Sequence, residues 1–289
     1  MPSRPTCVAI LLLWASAAGA LLRRDVLPDY WTTPPPDLRS VARAEEDARP
    51  AQWELSVAEG GGKPGFRTVG RAVTESRRTA DGGSELIGRV FFDSGGLLKG
   101  TPFAPSGDGP GPDEHMEVSN VCEIDPSGHL RRFRAAVRSA GDPEPLLSLD
   151  GRVEGRSIVV RASGAAAMLN WTRSFAYEPG EMIQNAIGPV DRLPGLQVGQ
   201  RWETRMVSPL TGRVERVMTE VAGKHTITWD NGMVKTLEVV QHLGSISART
   251  WVRRDGVVLR QEVPFPFVRL ILERLPDRGE RVRAGVTAP

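Results

Sequence analysis

The stretch 251–261, WVRRDGVVLRQ, reads as an extended run, an Asp-Gly turn at Asp255 and a second extended run. Aspartate followed by glycine tolerates the left-handed backbone of a tight hairpin, so the flanking runs are expected to pair antiparallel. The same signature recurs at FFDSGGLL around Asp93, EIDPSGHL around Asp125, LDGRV at Asp150 and WDNGMV at Asp230. Helical spacing is expected only from Glu181 to Ile187 and in a short linker helix, while alternation dominates elsewhere. The pattern predicts a mainly β fold: a curved antiparallel sheet or half-barrel built of hairpins, with few short helices and an apolar N-terminal helix.

Working outward, EIDPSGHLRRF (123–133) echoes WVRRDGVVLRQ as strand, Asp/Gly turn, then a strand opening with leucine and arginine. The echo suggests one β-rich domain over 52–275, with half-domains at 52–163 and 170–275 as a possible subdivision. Residues 28–51 hold Pro34, Pro35 and Pro36 followed by SVARAEEDAR, and read as a linker. KGTPFAPSGDGPGPD (99–113) offers neither ladder hydrogen bonds nor apolar surface and is expected to form a mobile surface loop. The tail 276–289 is polar and expected to fray.

Residues 1–27 read as a signal peptide or membrane anchor. Cys7 to Leu22, CVAILLLWASAAGALL, is sixteen uncharged residues between Arg4 and the pair Arg23 and Arg24. As a helix it would span about 24 Å, and flanking arginines extend that reach by snorkelling. Ala18 and Ala20 supply the small residues of a cleavage site, so a cleaved signal is the competing reading. The two arginines beyond the run resist translocation and tilt the expectation to an uncleaved anchor. Cys7 precedes the apolar run, where a lipid-modified cysteine would have to follow it. Either form places the domain in the cell envelope outside the cytoplasm, inner-membrane anchored or periplasmic.

Composition closes several function classes. The formal net charge is +2 from 37 basic and 35 acidic residues spread along the chain, which is no footprint for nucleic acid. Arginine outnumbers lysine 33 to 4 without forming a cluster in the sequence, as a GC-rich genome would produce. No phosphate-cradling glycine loop and no GxSxG nucleophile elbow occurs. No cofactor is implied.

DEHMEVSNVCEIDPSGH (113–129) is the one place where histidine, cysteine and acidic residues crowd together. On a strand, Met116, Val118, Cys122 and Ile124 share one face while His115, Glu117, Glu123 and Asp125 share the other, so cysteine and histidine point apart. Their spacing matches no usual zinc pattern, and no metal site is expected. Cys122 is expected to be a buried packing residue, and a hydrolase triad of Cys122 with His225 or His242 and Asp255 is the minor alternative. His225, Ile227 and Trp229 alternate on one face of KHTITW, which reads as packing. Of the tryptophans at 53, 171, 202, 229 and 251, the last three fall on neighbouring predicted strands. Trp202, Trp229 and Trp251 are the candidate lining of an apolar ligand pocket.

The order FRTVGRAVTESRR (66–78, read as a strand pair with a glycine between), IQNAIGPVDRLPGLQVGQRWETRMV (183–207) and the closing WVRRDGVVLRQEVPFPFVRLILERL (251–275) resembles an uncharacterised family. Its members are exported bacterial proteins that carry a domain of unknown function, 3108-like. The motifs are a glycine-tryptophan pair at Gly199 and Trp202 and a hairpin at Trp251 and Gly256. In outline it is similar to periplasmic lipoprotein carriers, whose antiparallel sheet curls around a helix and cradles acyl chains. The resemblance implies no catalytic residue. The resulting expectation is a non-enzymatic module that binds a lipid or acyl chain, or an envelope protein partner. A structural accessory role in an envelope complex is the alternative.

Overall fold

A computed structural model of the protein describes residues 50–58, 65–98, 115–139, 142–177, 190–207, 213–244, 246–265 and 268–276, with six isolated positions before them (14, 16, 17, 19, 35 and 36). The proposed N-terminal apolar helix, the linker helix, the loop 99–113, the helical stretch 181–187 and the tail all lie outside these, apart from those six. The apolar helix therefore gains no support. Among the described residues no helix is long and apolar enough to cross a membrane.

Among the described residues fourteen strands form one antiparallel sheet. The first wing is β1 (Ala51–Ala58), β2 (Phe66–Arg78), β3 (Ser84–Asp93), β4 (His115–Ile124), β5 (Leu130–Ser139), β6 (Leu147–Glu154), β7 (Ser157–Gly164) and β8 (Trp171–Ala176). The second is β9 (Arg201–Val207), β10 (Val214–Trp229), β11 (Gly232–Leu243), β12 (Ile246–Arg253), β13 (Val258–Phe265) and β14 (Val268–Arg274). The order runs β8 to β1, then β14 back to β9. Each described strand therefore pairs with its chain neighbours and the first pairs with the last, except that no ladder among the described residues joins β8 to β9. The suggested half-domains are wings of this single sheet, joined where Trp53 faces Arg274 and Leu55 faces Leu272. The sheet is mainly β and curved as expected, and it is not closed.

Three of the five predicted turns are hairpins. Asp230 and Asn231 carry φ of 47° and 61° between β10 and β11, the left-handed pair that a two-residue loop demands. Gly128 and Gly256, both at φ 85°, close the β4–β5 and β12–β13 turns. The other two readings are corrected. Asp150 and Gly151 lie inside β6, opposite Arg134 and Phe133. A Cβ at Gly151 would run into the Phe133 ring, so this glycine clears space for an aromatic on the next strand. At Asp93 the chain enters a short helix, α1 (Ser94–Leu98), and the Asp93 carboxylate accepts a 2.9 Å hydrogen bond from the Gly96 N–H. FRTVGRAVTESRR is likewise one strand, β2, and not a pair. Gly70 within it lets the Phe91 carbonyl approach closer than any Cβ allows.

One face of the sheet carries the core. Trp53, Leu55 and Val57 of β1, Val221 of β10, Val239 of β11, Val252 of β12, Val258 of β13 and Leu272 of β14 form its main cluster. A second cluster, around Leu130, Leu149, Ile158, Val160 and Tyr177, covers the same face of β5–β8. Val214 of β10 packs against that second cluster, and Arg205 of β9 donates a 3.0 Å hydrogen bond to the Ala176 carbonyl at the end of β8. Side chains thus draw the two free edges together where no ladder joins them.

Candidate functional site

On β9–β14 the inner face is covered by the segment that precedes β9. Before β9, Val190, Leu193 and Leu196 pack into the main cluster. This segment is held by backbone bonds: the Leu193 N–H donates to the Gly256 carbonyl at 2.8 Å, and the Val258 N–H to the Asp191 carbonyl at 3.0 Å. Gly256 is required there twice over. Its φ is left-handed, and a Cβ would stand 2.8 Å from Pro194 Cα. Asp191 is buried and paired with the buried Arg274, whose guanidinium lies 6.0 Å over the Trp53 ring. The second wing is therefore covered on its inner side.

On β3–β8 the inner residues Phe92, Met116, Cys122, Phe133, Val137, Trp171 and Phe175 are only half-buried. Most of them pack against the second cluster. At the turn end of these strands a cleft of about 530 Å³ opens, a volume in the range of small-ligand sites. Its apolar lining is Leu130, Val153 and Tyr177, all part of the second cluster. Its polar lining is Glu123, Asp125, His129, Arg131, Arg132 and Arg152. Arginine is thus brought together in space although it forms no cluster in the sequence, which corrects the reading of these residues as scattered.

The charges in the cleft are mostly matched. Arg132 binds the Asp150 carboxylate with both arms of its fork, Nε to Oδ1 at 3.0 Å and Nη2 to Oδ2. That hydrogen bonding raises the Arg132 pKa. Arg131 pairs with Asp81 on the β2–β3 turn, and hydrogen bonds from Thr79 and Arg131 hold Asp81 down at about 2. Glu123 accepts a 2.9 Å bond from Arg134. The Asp125 carboxylate accepts a 2.9 Å bond from the His129 N–H and stands 3.7 Å from its Nδ1.

The three candidate tryptophans are all buried, and they do not line one surface. Trp202 belongs to the main cluster on the inner face, whereas Trp229 and Trp251 belong to a third cluster with Ile227, Val257 and Leu259. Trp251 is adjacent to Val252 of the main cluster, so it projects from the other side of β12. In β10 the ladder shifts between Val221 and Gly223, and this bulge turns Ile227 and Trp229 away from the side that Val221 faces. Trp229 then donates a 2.7 Å hydrogen bond from Nε1 to the Arg274 carbonyl. His225, 6.4 Å from the Trp251 ring, sits beside this third cluster.

Cys122, His225, His242 and Asp255 are dispersed. Cys122 packs against the second cluster, His242 is 2.9 Å from Ser247 Oγ on the β11–β12 hairpin, and Asp255 is held by Arg253. Among the described residues no three His, Cys, Asp or Glu side chains are placed to hold a metal ion. Burial pushes the Cys122 thiol up to about 11, so thiolate is scarce at neutral pH. Thiol-specific labelling of the native protein at pH 7.5 is expected to proceed at least tenfold more slowly than in denaturant. Equal rates in the two conditions would show a reactive, accessible thiol.

Solved structures similar to this chain include two of domains of unknown function. One is a beta-barrel-like protein of domain of unknown function DUF1849 from Brucella abortus, 13% identical, covering 78% of this chain and 94% of that one with a TM-score of 0.48. The other is a DUF1089 family protein from Pseudomonas aeruginosa, 15% identical, covering 68% and 89% with a TM-score of 0.34. No family model matches the chain, and no curated protein matches it. Both solved structures are of domains of unknown function, and neither is the 3108 domain.

Proposed function

We propose that the protein is a non-enzymatic binding module of the cell envelope that holds an acyl chain against the inner face of β3–β8. The observation that supports this is a set of half-buried apolar residues, Met116, Cys122, Phe133, Trp171 and Phe175, on the inner face of β3–β8 beside the buried second cluster. A curled sheet with half-buried apolar side chains on its inner face forms a concave surface, and each methylene removed from water there contributes about 0.8 kcal/mol. Placement outside the cytoplasm rests on residues 7–22, as an anchor or an export signal. In this reading Trp202, Trp229 and Trp251 fill the core, and the chain lies along Met116, Cys122, Phe133 and Phe175.

Titration with dodecanoate tests the reading, because Trp171 stands half-buried at the edge of that surface. A saturable change in tryptophan fluorescence is expected in the native protein. In Trp171→Phe the signal should shrink while calorimetry still records binding. A flat calorimetric response up to the solubility limit of the probe would overturn the reading.

A further inference from the structure

We infer that the ligand is a single-chain amphiphile with an anionic head group, carboxylate or phosphate, and that Arg152 with Arg132 receives this group at the turn-end cleft. The inference rests on the acyl-chain reading above and adds the polar end of the ligand to it.

The cleft joins two environments. Leu130, Val153 and Tyr177 belong to the apolar cluster that continues to Cys122, Phe133 and Phe175. Arg132 and Arg152 lie on the opposite side of the sheet, directly facing each other across β5 and β6. A molecule in the cleft therefore touches an apolar wall and a cationic rim at once, the two surfaces an amphiphile needs.

Within the rim, Arg152 is the arginine without a carboxylate partner among the described residues. Arg131 has Asp81, Arg132 has Asp150, Glu123 has Arg134 and Asp125 has His129 beside it. Arg152 is exposed and has no ion partner among the described residues. Like charges directly opposite on neighbouring strands repel, so the Arg132–Arg152 pair is a local electrostatic cost that an anion bridging the two guanidinium groups would relieve. Guanidinium also matches the planar oxygen pairs of a carboxylate or phosphate. An arginine without a carboxylate partner favours an anionic head group over a neutral one.

Three probes of equal chain length separate the alternatives: dodecanoate, dodecyl phosphate and neutral monododecanoyl glycerol, each titrated calorimetrically into the full chain and into Arg152→Gln and Arg152→Lys. The expected result is that both anions bind at least about tenfold tighter than the neutral glyceride, an energy of about 1.4 kcal/mol. Arg152→Gln should remove this preference without changing the glyceride affinity, and Arg152→Lys should retain part of it. Whichever anion binds tighter identifies the head group. Anions and glyceride binding alike in the native protein, or a preference that survives Arg152→Gln, would overturn the head-group assignment while leaving the acyl-chain reading intact. Failure of all three probes would overturn the acyl-chain reading and this inference with it. Arg152 is exposed on the strand surface, so both variants are expected to retain the native circular dichroism.

Discussion

Replacing Arg274 with methionine is expected to lower the unfolding free energy by about 3–5 kcal/mol, because it strips a buried carboxylate of its cation. Arg274 and Asp191 are 4% and 8% exposed, and their pairing ties the segment before β9 to the middle of the sheet. Arg192 Nε, 4.0 Å from the Asp191 carboxylate, is too distant to replace the lost hydrogen bond. A methionine fills similar volume, so the loss reports charge and not a cavity. The double variant Arg274→Met with Asp191→Leu is expected to recover most of the stability, since replacing both members of a buried ion pair with apolar groups is often neutral. Urea unfolding followed by circular dichroism measures all three. Equal losses in the single and double variants would show that the pair does not carry the effect.

That ion pair marks the boundary of what the sequence discloses. Turn chemistry is local, and the hairpins at Asp125, Asp230 and Asp255 were legible because left-handed backbone at Asn231, Gly128 and Gly256 follows from the residues themselves. Gly151 misleads for the same reason. Its purpose is to make room for Phe133 on another strand, and a pattern of neighbours in sequence carries no trace of that. The β1–β14 pairing and the docking of Val190, Leu193 and Leu196 are likewise contacts between distant parts of the chain.

The candidate site was legible only in part. Alternation in β4 does place Val118, Cys122 and Ile124 on the inner face, as their spacing predicts. Trp202, Trp229 and Trp251 do lie on strands of the second wing, but the bulge between Val221 and Gly223 adds one residue to β10 and reverses every side chain beyond it. Trp229 therefore left the face on which Trp202 remained. Arg132 and Arg152 escaped notice because twenty residues of sequence separate side chains that the β5–β6 ladder sets directly opposite.

Trp53→Ala is the second large effect, expected to cost about 3–5 kcal/mol. The residue is fully buried at the junction of the wings, facing Arg274 on β14 and Ala72 on β2. Truncation leaves a cavity in a sheet face whose neighbours are fixed by ladders on both sides, so little collapse can repair it. It also orphans Thr74 Oγ1, which accepts a 3.1 Å hydrogen bond from Trp53 Nε1. Trp53→Phe keeps most of the volume and loses the bond, so about 1–2 kcal/mol is expected for that change alone. Because the Arg274 guanidinium lies over the indole ring, the losses from Trp53→Ala and Arg274→Met should not add. A double-mutant cycle is expected to give a coupling of about 0.5–3 kcal/mol. Strict additivity in urea unfolding would mean that the tryptophan and the buried ion pair stabilise the wing junction independently, and the network drawn between them would fall.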